Sequence, residues 1–393
     1  MKIKLPEHIQ NLPPYTPIEP FDVLSERIGR APEEIVKLDA NENPYGMSPC
    51  AQAALAQLSF GHIYPDPESR ALRTALADFT QTPAENLLVG AGADELIDLI
   101  MRVVLSPDDT IINCPPTFGM YAFDADLNNA QVVNVPRRND FSIDVDGIIR
   151  AAEEHQPKLI FLTSPNNPDG SVLAKADLEM LLELPCMIVL DEAYIEFAAP
   201  ESLGRELSRI NEAPMRENLI VLRTFSKLAG LAGLRVGYGA FPSWLMPTLW
   251  KAKQPYNVNV AAGVAAVAAL DDPGYLQKVV VKLVDERKRL FDALNNISWL
   301  EPYPSNANFV LCRVNNRDAA KLKEDLASEH GIFIRYFNKP GLDDHIRISV
   351  GKPEQVDILL KALQKLSFYS TSAIFLNPAE PLIERCPEPA EGW

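Results

Sequence analysis

Between residues 50 and 270 the chain alternates short, continuous apolar runs with segments of helical period, and few folds accommodate that pattern. Seven runs stand out, at 86–89, 110–114, 131–135, 158–163, 187–190, 219–222 and 236–240. Most carry β-branched residues and are bounded by Pro, Gly or Asp, as strands buried on both faces are. Helical periods at 69–79, 93–105 and 176–184 lie between them. Strand, helix and strand in repetition predict an α/β fold built on a mostly parallel sheet.

Pro273-Gly274 breaks this pattern, and 275–296 then reads as one long amphipathic helix joining two lobes. Beyond it, 306–314, 318–330, 332–336, 345–350 and 354–366 read as strand, helix, strand, strand, helix, a small α+β lobe. Residues 1–37 are punctuated by Pro6, Pro13, Pro14, Pro17 and Pro20 and read as an arm lying over something else. The expected division is therefore an arm at 1–37, a large domain at 38–272, and a small domain at 273–368 that includes part of the arm. Residues 377–393 hold four Pro, four Glu and no periodicity, so 369–393 is expected to be a disordered tail outside the fold.

The net charge of −16 argues against nucleic-acid binding, which needs a basic face. The five cysteines (Cys50, Cys114, Cys186, Cys312, Cys386) form no CxxC and read as small buried hydrophobes in a reducing compartment. The five histidines show no metal-ligand spacing, so no metal is expected. No apolar run approaches the roughly 18 residues of a membrane span. The first residues have no apolar h-region, so a cytoplasmic protein is expected.

In open α/β sheets ligands bind at the carboxyl ends of strands. Gly90-Ala91-Gly92-Ala93-Asp94-Glu95 follows the first run. A Gly-rich turn opening a helix offers backbone N–H groups to a phosphate, and a plain tight turn is an equal reading. Glu95 stands where a dinucleotide fingerprint needs glycine. Phe118 follows the second run, where an aromatic stacks on a planar ring or packs into the core. Asn166 and Asn167 sit between Pro165 and Pro168 in a rigid turn, and either amide can donate to a ring oxygen. Asp191 ends the fifth run. A carboxylate there needs a cation, such as a protonated pyridine, or else caps the next turn.

Ser226-Lys227 follows the sixth run, with Arg235 eight residues after the lysine. An amine at a buried strand end can form a Schiff base with an aldehyde. A hydroxyl and a guanidinium beside it can hold a phosphate. Pyridoxal 5′-phosphate is a cofactor that carries both an aldehyde and a phosphate. Each feature alone has an ordinary structural explanation; their order on successive strands is the specific signal.

On these residues the chain resembles the fold-type I pyridoxal-phosphate aminotransferases of class I/II. The stretches that carry the likeness, over about 38–366, include Leu38-Asp39-Ala40-Asn41-Glu42-Asn43-Pro44, Tyr64-Pro65-Asp66-Pro67, Ser164-Pro165-Asn166-Asn167-Pro168, Asp191-Glu192-Ala193-Tyr194, 226–235 and His345-Ile346-Arg347. The resemblance implies a large domain with a mostly parallel seven-stranded sheet sandwiched by helices, plus a small α+β domain. It implies that Lys227 bonds the cofactor aldehyde and moves the proton. Asp191 pairs with the pyridinium, Asn167 and Tyr194 bond the ring 3′ oxygen, and Phe118 stacks on the ring. Ala93, Asp94, Ser226 and Arg235 hold the phosphate, with Thr224 nearby. Tyr64 reaches the neighbouring subunit's cofactor, which implies a homodimer. Tyr15, Asn43, Arg335 and Arg347 fall on the substrate side. Asp169 stands where the family often has Thr.

Within the family the likeness is closest to the branch whose amino donor is histidinol phosphate and whose acceptor is 2-oxoglutarate, in ping-pong transamination. Two guanidiniums, Arg335 and Arg347, suit a donor with a phosphate and an acceptor with two carboxylates. The alternative for Arg335, and the lesser one, is half of a surface ion pair. Rival readings are an aromatic amino-acid aminotransferase and a threonine-phosphate decarboxylase. The latter branch carries His-Gly-Gly-Asn near its N-terminus, where this chain has Asp39-Ala40-Asn41-Glu42-Asn43. A non-enzymatic alternative, a ligand-sensing transcription regulator, would need a basic domain before the fold.

Overall fold

The computed structural model describes residues 3–12 and 19–372. Tyr15, Cys386 and residues 373–393 of the expected tail lie outside the described residues, and its first residues, 369–372, instead continue the helix Pro353–Ser372. The first strand, β1 (Val36–Leu38), belongs to a small sheet. The seven apolar runs become β2 (Leu87–Gly90), β3 (Thr110–Asn113), β4 (Gln131–Asn134), β5 (Leu159–Thr163), β6 (Met187–Asp191), β7 (Leu219–Thr224) and β8 (Gly237–Ala240). They form one sheet in the order β2-β8-β7-β6-β5-β3-β4.

Apolar residues on both faces of each central strand explain the sandwich. Along β5, Ile160 and Leu162 enter one core cluster while Leu159 and Phe161 enter the other. β7 splits the same way, Val221 against Ile220 and Leu222. Each such buried side chain contributes about 1.5–3 kcal/mol relative to exposure. The exception to parallel pairing is β8, antiparallel to both β2 and β7. Residues 225–236, which join β7 to β8, contain no α-helix to serve as a crossover, only the short turn Ala232–Leu234. Gly237 on β8 also admits a neighbouring helix: a Cβ there would stand 2.5 Å from the backbone N of Ala93.

The long helix runs Pro273–Asn295, starting where Pro273 takes the first helical position and the Asp272 side chain accepts from Tyr275 N. The small sheet adds β9 (Leu300–Pro302), β10 (Phe309–Val314), β11 (Ile332–Tyr336) and β12 (His345–Ser349). Its order is β1-β11-β12-β10-β9, antiparallel except for β1 alongside β11. Sequence reading predicted neither β1 nor β9, since three residues are too few to show a period. The arm is anchored where Leu24 packs against Ile35 and Phe333. No helix among the described residues is long and apolar enough to cross a membrane.

Candidate active site

Asp191 ends β6 and is 5% exposed. Its Oδ1 accepts from Ala193 N at 3.0 Å and its Oδ2 from Tyr121 Oη at 2.7 Å. Neither donor is a cation, and burial pushes the carboxyl up to about 6 despite the opposing pull of the Tyr121 hydrogen bond. The charge of Lys227 also acts on it, so the two strand-end groups share one electrostatic site. Lys227 Nζ donates to Ala40 O at 3.2 Å and lies 5.9 Å from the centre of the Tyr194 ring.

A second group of residues gathers where β2 meets its helix. Helix Ala93–Val104 has Gly92 before it and no side-chain cap, so its first amides lack intrahelical partners. Gly92 sits at φ +85°, and a Cβ there would come within 2.6 Å of Arg235 Nη2. Arg235 in turn pairs with Asp94 at 2.8 Å, both side chains about half exposed (48% and 47%). Thr224 ends β7 and donates to Ser226 Oγ at 3.0 Å, which brings that hydroxyl into place. Amides at a helix start, a hydroxyl and a guanidinium form a donor set for a phosphate.

The small sheet supplies the third group. Arg347 on β12 is buried; its Nη1 donates to Asn167 Oδ1 and its Nη2 to Asp39 O at 2.8 Å. Its Nε is buried without a hydrogen-bond partner. Burial pulls its pKa down to about 10. Arg335 on β11 stands opposite Arg347 in the antiparallel register, and each guanidinium lies within 6 Å of the Phe337 ring, at 5.9 and 5.6 Å. Tyr194 Oη accepts from Asn41 Nδ2 at 3.1 Å.

Two predicted residues stand apart. Tyr64 is 78% exposed and stacks on Tyr256 with ring centres 4.7 Å apart. The Asn43 amide is taken up by backbone, donating to Leu228 O at 3.0 Å and accepting from Tyr45 N at 3.0 Å, so it ties its loop to the lysine segment. Phe118 meets Tyr121 edge-on at 5.5 Å.

Sequence reading missed several residues of the site. Tyr121 and Thr163 contact the Asp191 network. Asn41 bridges Tyr194 to Ser349 on β12, its backbone N–H donating to Ser349 Oγ at 2.8 Å and its Oδ1 accepting from that hydroxyl at 2.9 Å. Behind the site, fully buried Arg223 pairs with Glu196, and Glu192 accepts from Ser208 Oγ and from Arg209 N at 2.7 Å. Burial raises Glu192 to about 7. This cluster fixes the segments that carry Lys227 and Tyr194. The one available signal was the crowding of charged residues around 191–196 and 223 in otherwise apolar surroundings.

The family model described as aminotransferase class I and II matches residues 33–363. The chloroplastic histidinol-phosphate aminotransferase of Nicotiana plumbaginifolia is 57% identical over 358 residues, 91% of this chain and 85% of the relative. The histidinol-phosphate aminotransferase of Roseiflexus castenholzii is 52% identical over 366 residues, covering 91% and 97%. Among solved structures, the histidinol-phosphate aminotransferase of Sinorhizobium meliloti in complex with pyridoxal-5′-phosphate aligns with a TM-score of 0.84 at 30% identity, covering 93% of this chain and 98% of that one.

Proposed function

The chain belongs to the class I and II aminotransferases, and from that premise we propose that it moves the amino group of L-histidinol phosphate to 2-oxoglutarate, a step of histidine biosynthesis. The products are imidazole acetol phosphate and L-glutamate. Identity of 52–57% over 91% of the chain to relatives named for this activity supports the substrate. The geometric observation that carries the reading is a buried carboxylate, Asp191, whose hydrogen-bond donors are both neutral, with the Lys227 amine acting on it.

Pyridoxal 5′-phosphate fits these residues. Asp191 suits its protonated ring nitrogen, and Ala93, Asp94, Ser226 and Arg235 suit its phosphate. Bound there, it supplies an aldehyde to carry the amine and a ring that takes up the electrons freed at the substrate Cα. Lys227 Nζ serves as the base that removes the Cα proton of the donor and returns a proton later. Asp191 holds positive charge opposite itself. Asn41 occupies a lone pair of Tyr194 Oη and so leaves that hydroxyl proton free to donate. Arg347 holds Asn167 by its Oδ1, leaving the amide N–H groups of Asn167 to donate as well.

Arg347 and Arg335 grip the phosphate of one substrate and a carboxylate of the other; Tyr15 and Asn43 are assigned to the substrate by the family resemblance alone. Phe118 covers a ring face, and Thr224 orients Ser226. Tyr64, exposed in the single chain, reaches the site of a second copy in a homodimer. Cys114 and Cys312 are buried as expected, whereas Cys50 is exposed and Cys186 only partly buried; a reducing compartment, the cytoplasm, is proposed.

A half-reaction screen tests the substrate. The cofactor-loaded protein is mixed in turn with L-histidinol phosphate, phenylalanine, tyrosine and threonine phosphate, and the cofactor's visible band is followed. Histidinol phosphate is expected to convert it fastest, with imidazole acetol phosphate as product. A faster aromatic donor, or carbon dioxide released from threonine phosphate, would overturn the substrate.

A further inference from the structure

Four polar contacts run in series from the Asp191 carboxylate. Tyr121 Oη meets Asp191 Oδ2 at 2.7 Å and Thr163 Oγ1 at 2.9 Å. Thr163 Oγ1 meets Thr117 Oγ1 at 3.2 Å, and Thr117 Oγ1 meets Asn166 Oδ1 at 2.9 Å. The far end has a fixed direction. Asn166 Nδ2 donates to Pro116 O at 3.0 Å and to Asp169 Oδ2, and both are acceptors. Asn166 Oδ1 therefore faces Thr117 and can only accept.

Three hydroxyls bring three protons to four contacts. With Asp191 ionised, Tyr121 donates to the carboxylate, Thr163 to Tyr121 and Thr117 to Asn166. The contact left without a proton is Thr163–Thr117, which is the longest of the four. With Asp191 protonated, all four contacts are filled, each hydroxyl donating away from the carboxyl. The row of hydroxyls thus has two proton arrangements, and the charge on Asp191 selects between them.

We propose that Tyr121 is a positioning residue for Asp191, and that Thr163, Thr117 and Asn166 behind it set how readily Asp191 carries charge opposite a ring cation. The inference rests on the functional reading above. In the ionised arrangement Tyr121 receives a proton from Thr163 while giving its own, which strengthens its hold on the carboxylate. Asp169, the residue that departs from the family's common Thr, anchors the row: its Oδ1 accepts from Ser171 N at 2.7 Å and its Oδ2 from Asn166. The Tyr121 ring stacks on Phe161 with centres 4.8 Å apart, a contact that phenylalanine would keep. Tyr121→Phe therefore deletes the hydroxyl alone.

The test is the affinity of the full chain for pyridoxal phosphate across the pH range of the Asp191 transition, read from cofactor absorbance. The parent, Tyr121→Phe, Thr163→Val and Thr163→Ser are compared, with thermal unfolding of each to show the fold intact. Loss of a charge-assisted hydrogen bond predicts a dissociation constant raised roughly tenfold in Tyr121→Phe. The acid side of its pH profile should move up by about one unit. Thr163→Val, which removes one filled contact from the ionised arrangement and two from the protonated one, should change both by about two- to threefold, and Thr163→Ser should stay at the parental values. Parental affinity and pH profile in Tyr121→Phe would overturn the inference, as would Val and Ser behaving alike at 163. A parent chain that takes up no pyridoxal phosphate would sink the functional reading and this inference together.

Discussion

Asp191 and Arg235 each hold a charge beside a strand end of the same sheet, yet Asp191 is 5% exposed while 48% of the Arg235 side chain is open to water. The buried end is set by its neighbours. Asp191 has a fixed donor on each oxygen, a raised pKa and no cation bonded to it. The open end is a loose pair, Arg235 with Asp94, screened by solvent and exchangeable. One end is built to be satisfied only by a ligand cation. The other can trade its internal partner for a ligand anion. Disturbing the buried end should therefore affect chemistry as well as affinity, and disturbing the open one affinity alone.

Asp191→Asn should break the comparison most severely. Loss of the anion opposite the ring should lower kcat by about a hundredfold or more, measured as glutamate formed. The same change should make the cofactor-free protein more stable at neutral pH. A carboxyl whose folded pKa is raised from 3.8 to about 6 stabilises the fold fully below its unfolded value. That contribution is lost as pH rises through about 6, at most about 3 kcal/mol for this group. Denaturant unfolding of the cofactor-free parent should show this loss between about pH 4 and pH 7, and Asp191→Asn should lack that part of it.

Arg235→Ala should act on affinity alone. The dissociation constant for pyridoxal phosphate should rise about ten- to a hundredfold, with kcat at saturating cofactor nearly unchanged. Stability of the cofactor-free protein should move by less than about 1 kcal/mol, because exposed pairs contribute little. A large fall in kcat at saturation would erase the contrast between the two ends.

The smallest expected effect sharpens the picture at the same place. Asp94→Asn frees Arg235 from its internal partner and removes a negative charge beside the phosphate position. Cofactor affinity should rise by about two- to fivefold at low salt, and the gain should shrink at high salt. An affinity that falls instead would mean that Asp94 organises the cradle rather than competing for it.

The two ends also differ in how far sequence could expose them. Gly92, Ala93, Asp94, Ser226 and Arg235 lie in short turns or at a helix start, where composition is itself the signal, Asp191 stands directly after an apolar run and Lys227 shortly after another. Tyr121, Thr163 and Thr117 carried no such mark. Each looks like an ordinary polar or aromatic residue near a strand end, and only the parallel pairing of β3, β5 and β6 sets them side by side. Asn41 was invisible as a site residue for the same reason: its partners, Tyr194 and Ser349, are 153 and 308 residues away.

Local periodicity and composition were sufficient for the seven strands of the large sheet, the long helix that follows them and the order in which chemically suggestive segments follow those strands. Those features depend on residues close in sequence, where burial on one face or two leaves a readable pattern. The tertiary structure alone decided that β8 runs antiparallel, that β1 crosses into the small sheet, and that Arg347 reaches Asn167. It alone decided that three hydroxyls line up behind one carboxylate. Such contacts join distant segments through packing and hydrogen-bond direction, and no short window of sequence records either.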